Sequence, residues 1–129
     1  MRAIRPLRTV LFVVLMLFST CRTPRNLGAE GDELGEGLAS FYGAGLQGNL
    51  TANGERFDKE QLTAAHRTLR FGTCVSVFSV STGRSVDVRI NDRGPFVGGR
   101  IIDVSEAAAR ELGLIAAGVG RVRLTRCHP

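Results

Sequence analysis

The sequence contains no tryptophan, a single tyrosine (Tyr42) and a single lysine (Lys59). A nucleic-acid interface combines a basic patch with aromatic platforms, so this scarcity argues against a nucleic-acid partner. No Cys-x-x-Cys pair and no cysteine–histidine cluster at zinc-ligand spacing occurs, and no metal is expected. Histidine is restricted to His66 and His128. The longest apolar run, Val10–Phe18, is too short for a comfortable bilayer span, which takes ~20 apolar residues. There is no internal repeat. With 129 residues the chain has room for one domain.

What is present is unevenly distributed. The formal charge is +5, but residues 1–21 hold three arginines (Arg2, Arg5, Arg8) and no acid, so the remainder carries +2. A basic start, a short apolar run and the small-residue stretch "STC" describe an export signal over 1–21, with an uncleaved membrane anchor as the alternative. "FSTC" resembles the box that precedes a lipidated cysteine, although Phe18 and Thr20 depart from its usual residues. Cys21 is therefore a candidate lipidation site, or a residue lost with the signal. Export places the protein in the periplasm or cell envelope, membrane-anchored if Cys21 is lipidated. An exported compartment permits Cys74 and Cys127 to pair; two buried thiols are the alternative. Residues 22–37 are polar and glycine-rich and read as a flexible tether.

From Leu38 to Pro129 the texture is that of short strands. "LASFYG" is the first, with Phe41 toward the core. "TCVSVFSV" puts Val75 and Val77 on one face. "SVDVRI" alternates strictly, with Val86, Val88 and Ile90 inward and Asp87 and Arg89 outward. "RIIDV" and "RVRLT" follow. One helix is clear in "SEAAARELG", from an N-cap at Ser105 to a stop at Gly113. A single helical turn is expected over Asp58–Leu62. Short strands with turn signals at close spacing predict a mainly β fold, a small closed barrel with one or two short helices.

Four patches carry ionisable side chains: "TANGERFD" with Glu55 and Asp58, "LTAAHRTLRFGT" with His66, "NDRGPF" with Asp92 and Arg93, and "GRIIDVS" with Arg100 and Asp103. Singly, each has a structural explanation as a turn brace, cap or packed residue. Gathered on one barrel rim, they would form a polar groove suited to a sugar polymer, in which neighbouring carboxylates raise one another's pKa.

These same segments, together with "GLASFYG" and "GRIIDVSEAAARELG", resemble the rare lipoprotein A family from about Gly37 to Thr125. The resemblance implies a six-stranded double-psi β-barrel acting as an endolytic lytic transglycosylase on peptidoglycan glycan strands, in cell-wall remodelling. It implies no cofactor, and a monomer is expected. Such enzymes cleave the β-1,4 bond between N-acetylmuramic acid and N-acetylglucosamine without water, leaving a 1,6-anhydro end. By this resemblance Asp103 is the general acid/base. Asp92 or Glu55 then binds substrate or stabilises positive charge, and His66 orients a carboxylate or a sugar hydroxyl; Glu55 is the alternative acid. Asp58, Tyr42, Arg93 and Arg100 complete the expected substrate contacts. The larger members carry a C-terminal peptidoglycan-binding repeat that this sequence does not show. An expansin-like glycan binder without catalysis remains the alternative function.

Overall fold

The computed structural model describes residues 32–128. The expected export signal, Cys21 and most of the expected tether lie outside them. Six strands occur in the order β1 (Glu33–Phe41), β2 (Thr63–Ala65), β3 (Cys74–Ser79), β4 (Ser85–Asp92), β5 (Arg100–Val104) and β6 (Val119–Arg126), with one helix, α1 (Glu106–Leu112), between β5 and β6. They close into a barrel in the spatial order β1-β5-β2-β4-β3-β6. The β1/β5 and β2/β4 pairs are parallel and the others antiparallel. This is the double-psi β-barrel expected from the sequence.

The alternation read from the sequence fills the barrel. Val75, Val77, Val86, Val88, Ile90, Val122 and Leu124 are all buried, with Ile102 and Val104 from β5. Each such side chain contributes about 1.5–3 kcal/mol by leaving water. Helix α1 buries Ala107, Ala108, Ala109 and Leu112, while the Ser105 hydroxyl accepts from the Ala108 N–H. Gly113 ends the helix in the left-handed region at φ 73°, and a Cβ there would come within 3.2 Å of Thr82.

Two expectations are corrected, and one strand was not foreseen. The tether does not reach residue 37, because β1 begins at Glu33. Its first half pairs with β6 from Glu33↔Thr125 to Gly37↔Val122, so a backbone ladder and the Arg121–Glu36 ion pair carry it without apolar alternation. Gly37 is there because a Cβ would lie 2.7 Å from the Ile101 side chain, not because the chain is loose. The expected helical turn over Asp58–Leu62 is instead a tight turn: the Asp58 side chain accepts from the Glu60 N–H, and the Lys59 carbonyl is taken by the Ala107 N–H. The short helical turn lies at Ala44–Leu46, as a 3-10 helix. Finally, β2 has only three residues, all buried, too few for alternation to register in the sequence.

Candidate functional site

Ala65, the last residue of β2, stands between two acids. It pairs with Asp103 of β5 on one side and with Asp92 of β4 on the other. Ser40 of β1 pairs with Asp103 in turn. Four adjacent strands thus present Ser40, Asp103, Ala65 and Asp92 in one row. The two aspartates stand two inter-strand spacings apart, ~10 Å between Cα atoms.

A bulge puts Asp92 in that row. With Val86, Val88 and Ile90 pointing inward, simple alternation would send Asp92 inward too. The β2/β4 register shifts between Ala64↔Ile90 and Ala65↔Asp92, so Asn91 is an extra residue and Asp92 turns outward.

Three donors hold the Asp92 carboxylate. The Tyr42 hydroxyl donates to Oδ2, and the N–H groups of Ala52 and Arg93 donate to Oδ1, each at 2.9 Å. Two carboxylate oxygens offer about four lone-pair sites, so the free one lies on Oδ2. Tyr42 and Asp92 share the wall of a pocket of about 110 Å3 with Leu46, Asn49, Leu50, Thr51 and Phe57. Burial, reinforced by Asp92 and then Asp103, pushes the Tyr42 hydroxyl pKa up, so it stays a donor. Its ring packs against Phe57 with centroids 4.7 Å apart.

His66 follows Ala65, and its N–H donates to the Asp92 carbonyl at 3.2 Å. Its Nδ1 accepts from the N–H groups of Thr68 and Leu69, both at 3.1 Å. Burial, with the cations of Arg67 and Arg93, lowers its pKa. The ring is therefore neutral with its hydrogen on Nε2, which makes Nε2–H a donor.

Glu55 is held differently from the expectation that it might serve as an acid. Arg89 grips it with two nitrogens at 2.6 and 2.9 Å, and Asn53 and Asn91 donate to it as well. These bonds, Arg89 foremost, lower its pKa to about 2. It is an anion at any neutral pH.

Asp103 accepts from the Ser40 hydroxyl and from Arg100, both on Oδ1. Arg93 is turned beneath the loop after β2, donating to the carbonyls of His66 and Leu69 and lying 4.0 Å over the Phe71 ring. It braces the loop that shapes His66. Asp58 stands apart in the turn already described. Glu55, His66, Asp92, Asp103, Tyr42 and Arg100 therefore share one end of the barrel. Sequence reasoning missed Ser40, Asn53 and Asn91, and it saw Arg89 only as an outward strand residue. Its outward alternation from Asp87 was the one available signal.

Cys74 and Cys127 are joined by a disulfide with Cα atoms 5.4 Å apart. Asp87 lies beside them, but both sulfurs are in that bond.

The sequence model of the family described as "Lytic transglycolase" matches residues 35–124. A "Probable endolytic peptidoglycan transglycosylase RlpA" of Synechocystis sp. is 61% identical over 88 residues, 68% of this chain and 27% of that protein. An "Endolytic peptidoglycan transglycosylase RlpA" of Neisseria meningitidis is 47% identical over 107 residues, 83% of this chain and 44% of that protein. The chain thus spans less than half the length of these relatives. Among solved structures, an apo expansin of Clavibacter michiganensis superposes with a TM-score of 0.56 and 26% identity, covering 73% of this chain and 50% of that one.

Proposed function

The chain belongs to the lytic transglycolase family, and from that premise we propose that it is an endolytic lytic transglycosylase of peptidoglycan. It cleaves the β-1,4 bond between N-acetylmuramic acid and N-acetylglucosamine and leaves a 1,6-anhydro end. The observation that carries the reading is Asp92, a carboxylate with one free lone pair, facing a pocket beside a permanent donor, Tyr42.

In this reading Asp92 Oδ2 carries the proton. It passes the proton to the leaving O4 of N-acetylglucosamine as the bond to C1 of muramic acid breaks. The muramic C6 hydroxyl then attacks C1 and returns its proton to Oδ2, so no water is consumed. Glu55, fixed as an anion by Arg89, stabilises the positive charge that develops on the ring. His66 donates from Nε2 to a sugar oxygen. Asp103, the acid expected from the sequence, has its Oδ1 engaged by Ser40 and Arg100. The Arg100 cation on Asp103, against the neutral donors on Asp92, is the ground for giving Asp103 a positioning role and Asp92 the proton transfer. The export signal lies within residues 1–21 and ends before Cys21, which is the lipid attachment point, and the barrel works as a monomer in the cell envelope.

The test is digestion of peptidoglycan strands in 18O-labelled water. Transglycosylation gives anhydro ends without label, and labelled reducing ends would show hydrolysis instead. A second reading, a glycan binder without catalysis, is favoured by the likeness to the expansin. Binding of strands with no anhydro product would establish it.

A further inference from the structure

The pocket beside Asp92 has two unlike walls. Tyr42 and Asp92 form the polar one, and Leu46, Leu50 and Phe57 form the other. Phe57 is buried, but Leu50 is 65% exposed and Leu46 40%. Leu46 closes the 3-10 turn and Leu50 bridges to Arg56, so the backbone holds both in place. Asn49, between them in sequence, also lines the pocket. Its N–H donates to the Leu46 carbonyl, and its carbonyl accepts from the Phe57 N–H. The side-chain amide is therefore the polar group that Asn49 has left for a ligand, and it carries both donors and an acceptor.

A sugar hydroxyl gains nothing from a leucine wall, whereas a methyl group is stabilised there by leaving water. The pocket holds about 110 Å3. A water's share of liquid volume is ~30 Å3, so the pocket takes a group of about three or four heavy atoms. An acetamido group is of that size, with a methyl at one end and an amide at the other. In the reading above Asp92 protonates the bridging oxygen. That oxygen is bonded to C1 of muramic acid, and the muramic acetamido group is on the next carbon, C2. The acetamido group of the departing N-acetylglucosamine is one carbon further off. We propose that this pocket is the subsite for the muramic 2-acetamido group, with the methyl against Leu46 and Leu50 and the amide edge at Asn49, and that it makes cleavage depend on N-acetylation of muramic acid. This rests on the glycan reading above and names the part of the sugar that is recognised. A free amine at C2 would bring an ammonium against the leucines, and its charge beside Asp92 would favour the carboxylate and remove the proton that the reaction needs.

The test uses one preparation of strands, enzymatically de-N-acetylated on muramic acid and then left as the amine, re-acetylated or propionylated. The full chain should release anhydro ends from the acetyl strands with a kcat/KM about tenfold above that for the propionyl strands, and further above that for the amine. Leu50→Ala makes room for the extra methylene. It should lower kcat/KM for acetyl strands and raise it for propionyl strands, bringing their ratio to about one. Leu46→Ala is the second variant, expected to act in the same direction. Asn49→Ala should leave that ratio alone and reduce the preference for acyl strands over the amine. Thermal melts show which variants are folded. Equal cleavage of the three strands by the wild type overturns the proposal, and so does an unchanged acetyl-to-propionyl ratio in the folded leucine variants. An unchanged acyl-to-amine ratio in folded Asn49→Ala overturns its part in the subsite. If the wild type releases no anhydro ends from acetyl strands, it is the catalytic reading that fails. Binding affinities for the same three strands then decide the subsite by the same ratios.

Discussion

Tyr42 donates its hydroxyl to Asp92 Oδ2 at 2.9 Å, joining residues 50 positions apart. The bond ties the end of β1 to the end of β4, and it selects which lone pair of the carboxylate faces the pocket. Tyr42→Phe keeps the ring against Phe57 and removes only this donor. Asp92 gains charge as it gives up its proton in the transition state, and a hydrogen bond to a charged group carries about 1.5–3 kcal/mol, so kcat for anhydro-end formation should fall by about tenfold or more. Steady-state kinetics check this, and an unaltered kcat would remove Tyr42 from the mechanism.

Glu55 makes a separate prediction about acid stability. Its pKa is lowered from 4.5 to about 2 by Arg89, Asn53 and Asn91. A depressed carboxylate pKa stabilises the folded state above the unfolded value, and the contribution disappears as pH falls from 4.5 through about 2. Urea unfolding across that window should show Glu55→Gln with a flatter pH dependence than the wild type. Parallel curves would mean that the Arg89 clamp is not kept in solution.

His66 should titrate low. Burial first, then Arg67 and Arg93, set its pKa below 6.5. Protonation at Nδ1 would also break the bonds from Thr68 and Leu69. The unfolded chain therefore binds a proton that the folded chain does not, so this contribution to stability is complete above pH 6.5 and declines below it. NMR titration of the ring should give a midpoint under 6.5, and 15N shifts should report hydrogen on Nε2. A midpoint above 6.5, or the opposite tautomer, would contradict the donor role.

The Cys74–Cys127 bond closes a stretch with a sequence separation of 53. Linking β3 to the residue after β6, it should contribute about 2–4 kcal/mol, largely by restricting the unfolded chain. Urea unfolding with and without reductant, alongside the Cys74→Ser/Cys127→Ser variant, checks this. Cys74 pairs across β3 and β4 with Arg89, the residue that holds Glu55, so the activity of the reduced protein below its melting range reads whether that clamp needs the bond.

The legibility of this chain follows from the range of the interactions involved. Val86, Val88 and Ile90, and the Ser105–Gly113 helix, are governed by neighbours a few residues away, and both were readable from pattern. β2 was not, since Thr63–Ala65 is too short to alternate and is held by Arg89–Asp92 and Asp103–Val104. Nor was the bulge at Asn91, which reverses the side of Asp92 through pairing with a strand about 27 residues away. The acidic residues themselves stood out, because no turn or cap needs so many. Their division of labour did not. The partner that makes Glu55 a permanent anion, Arg89, is 34 residues distant, and the two groups that occupy Asp103 come from different strands.

The most direct measurement compares Asp92→Asn and Asp103→Asn with the wild type, by mass analysis of products from defined peptidoglycan strands. The account predicts anhydro-muramic ends from the wild type, none from folded Asp92→Asn, and reduced but detectable amounts from Asp103→Asn. Full activity in Asp92→Asn, with activity abolished in a folded Asp103→Asn, would contradict it.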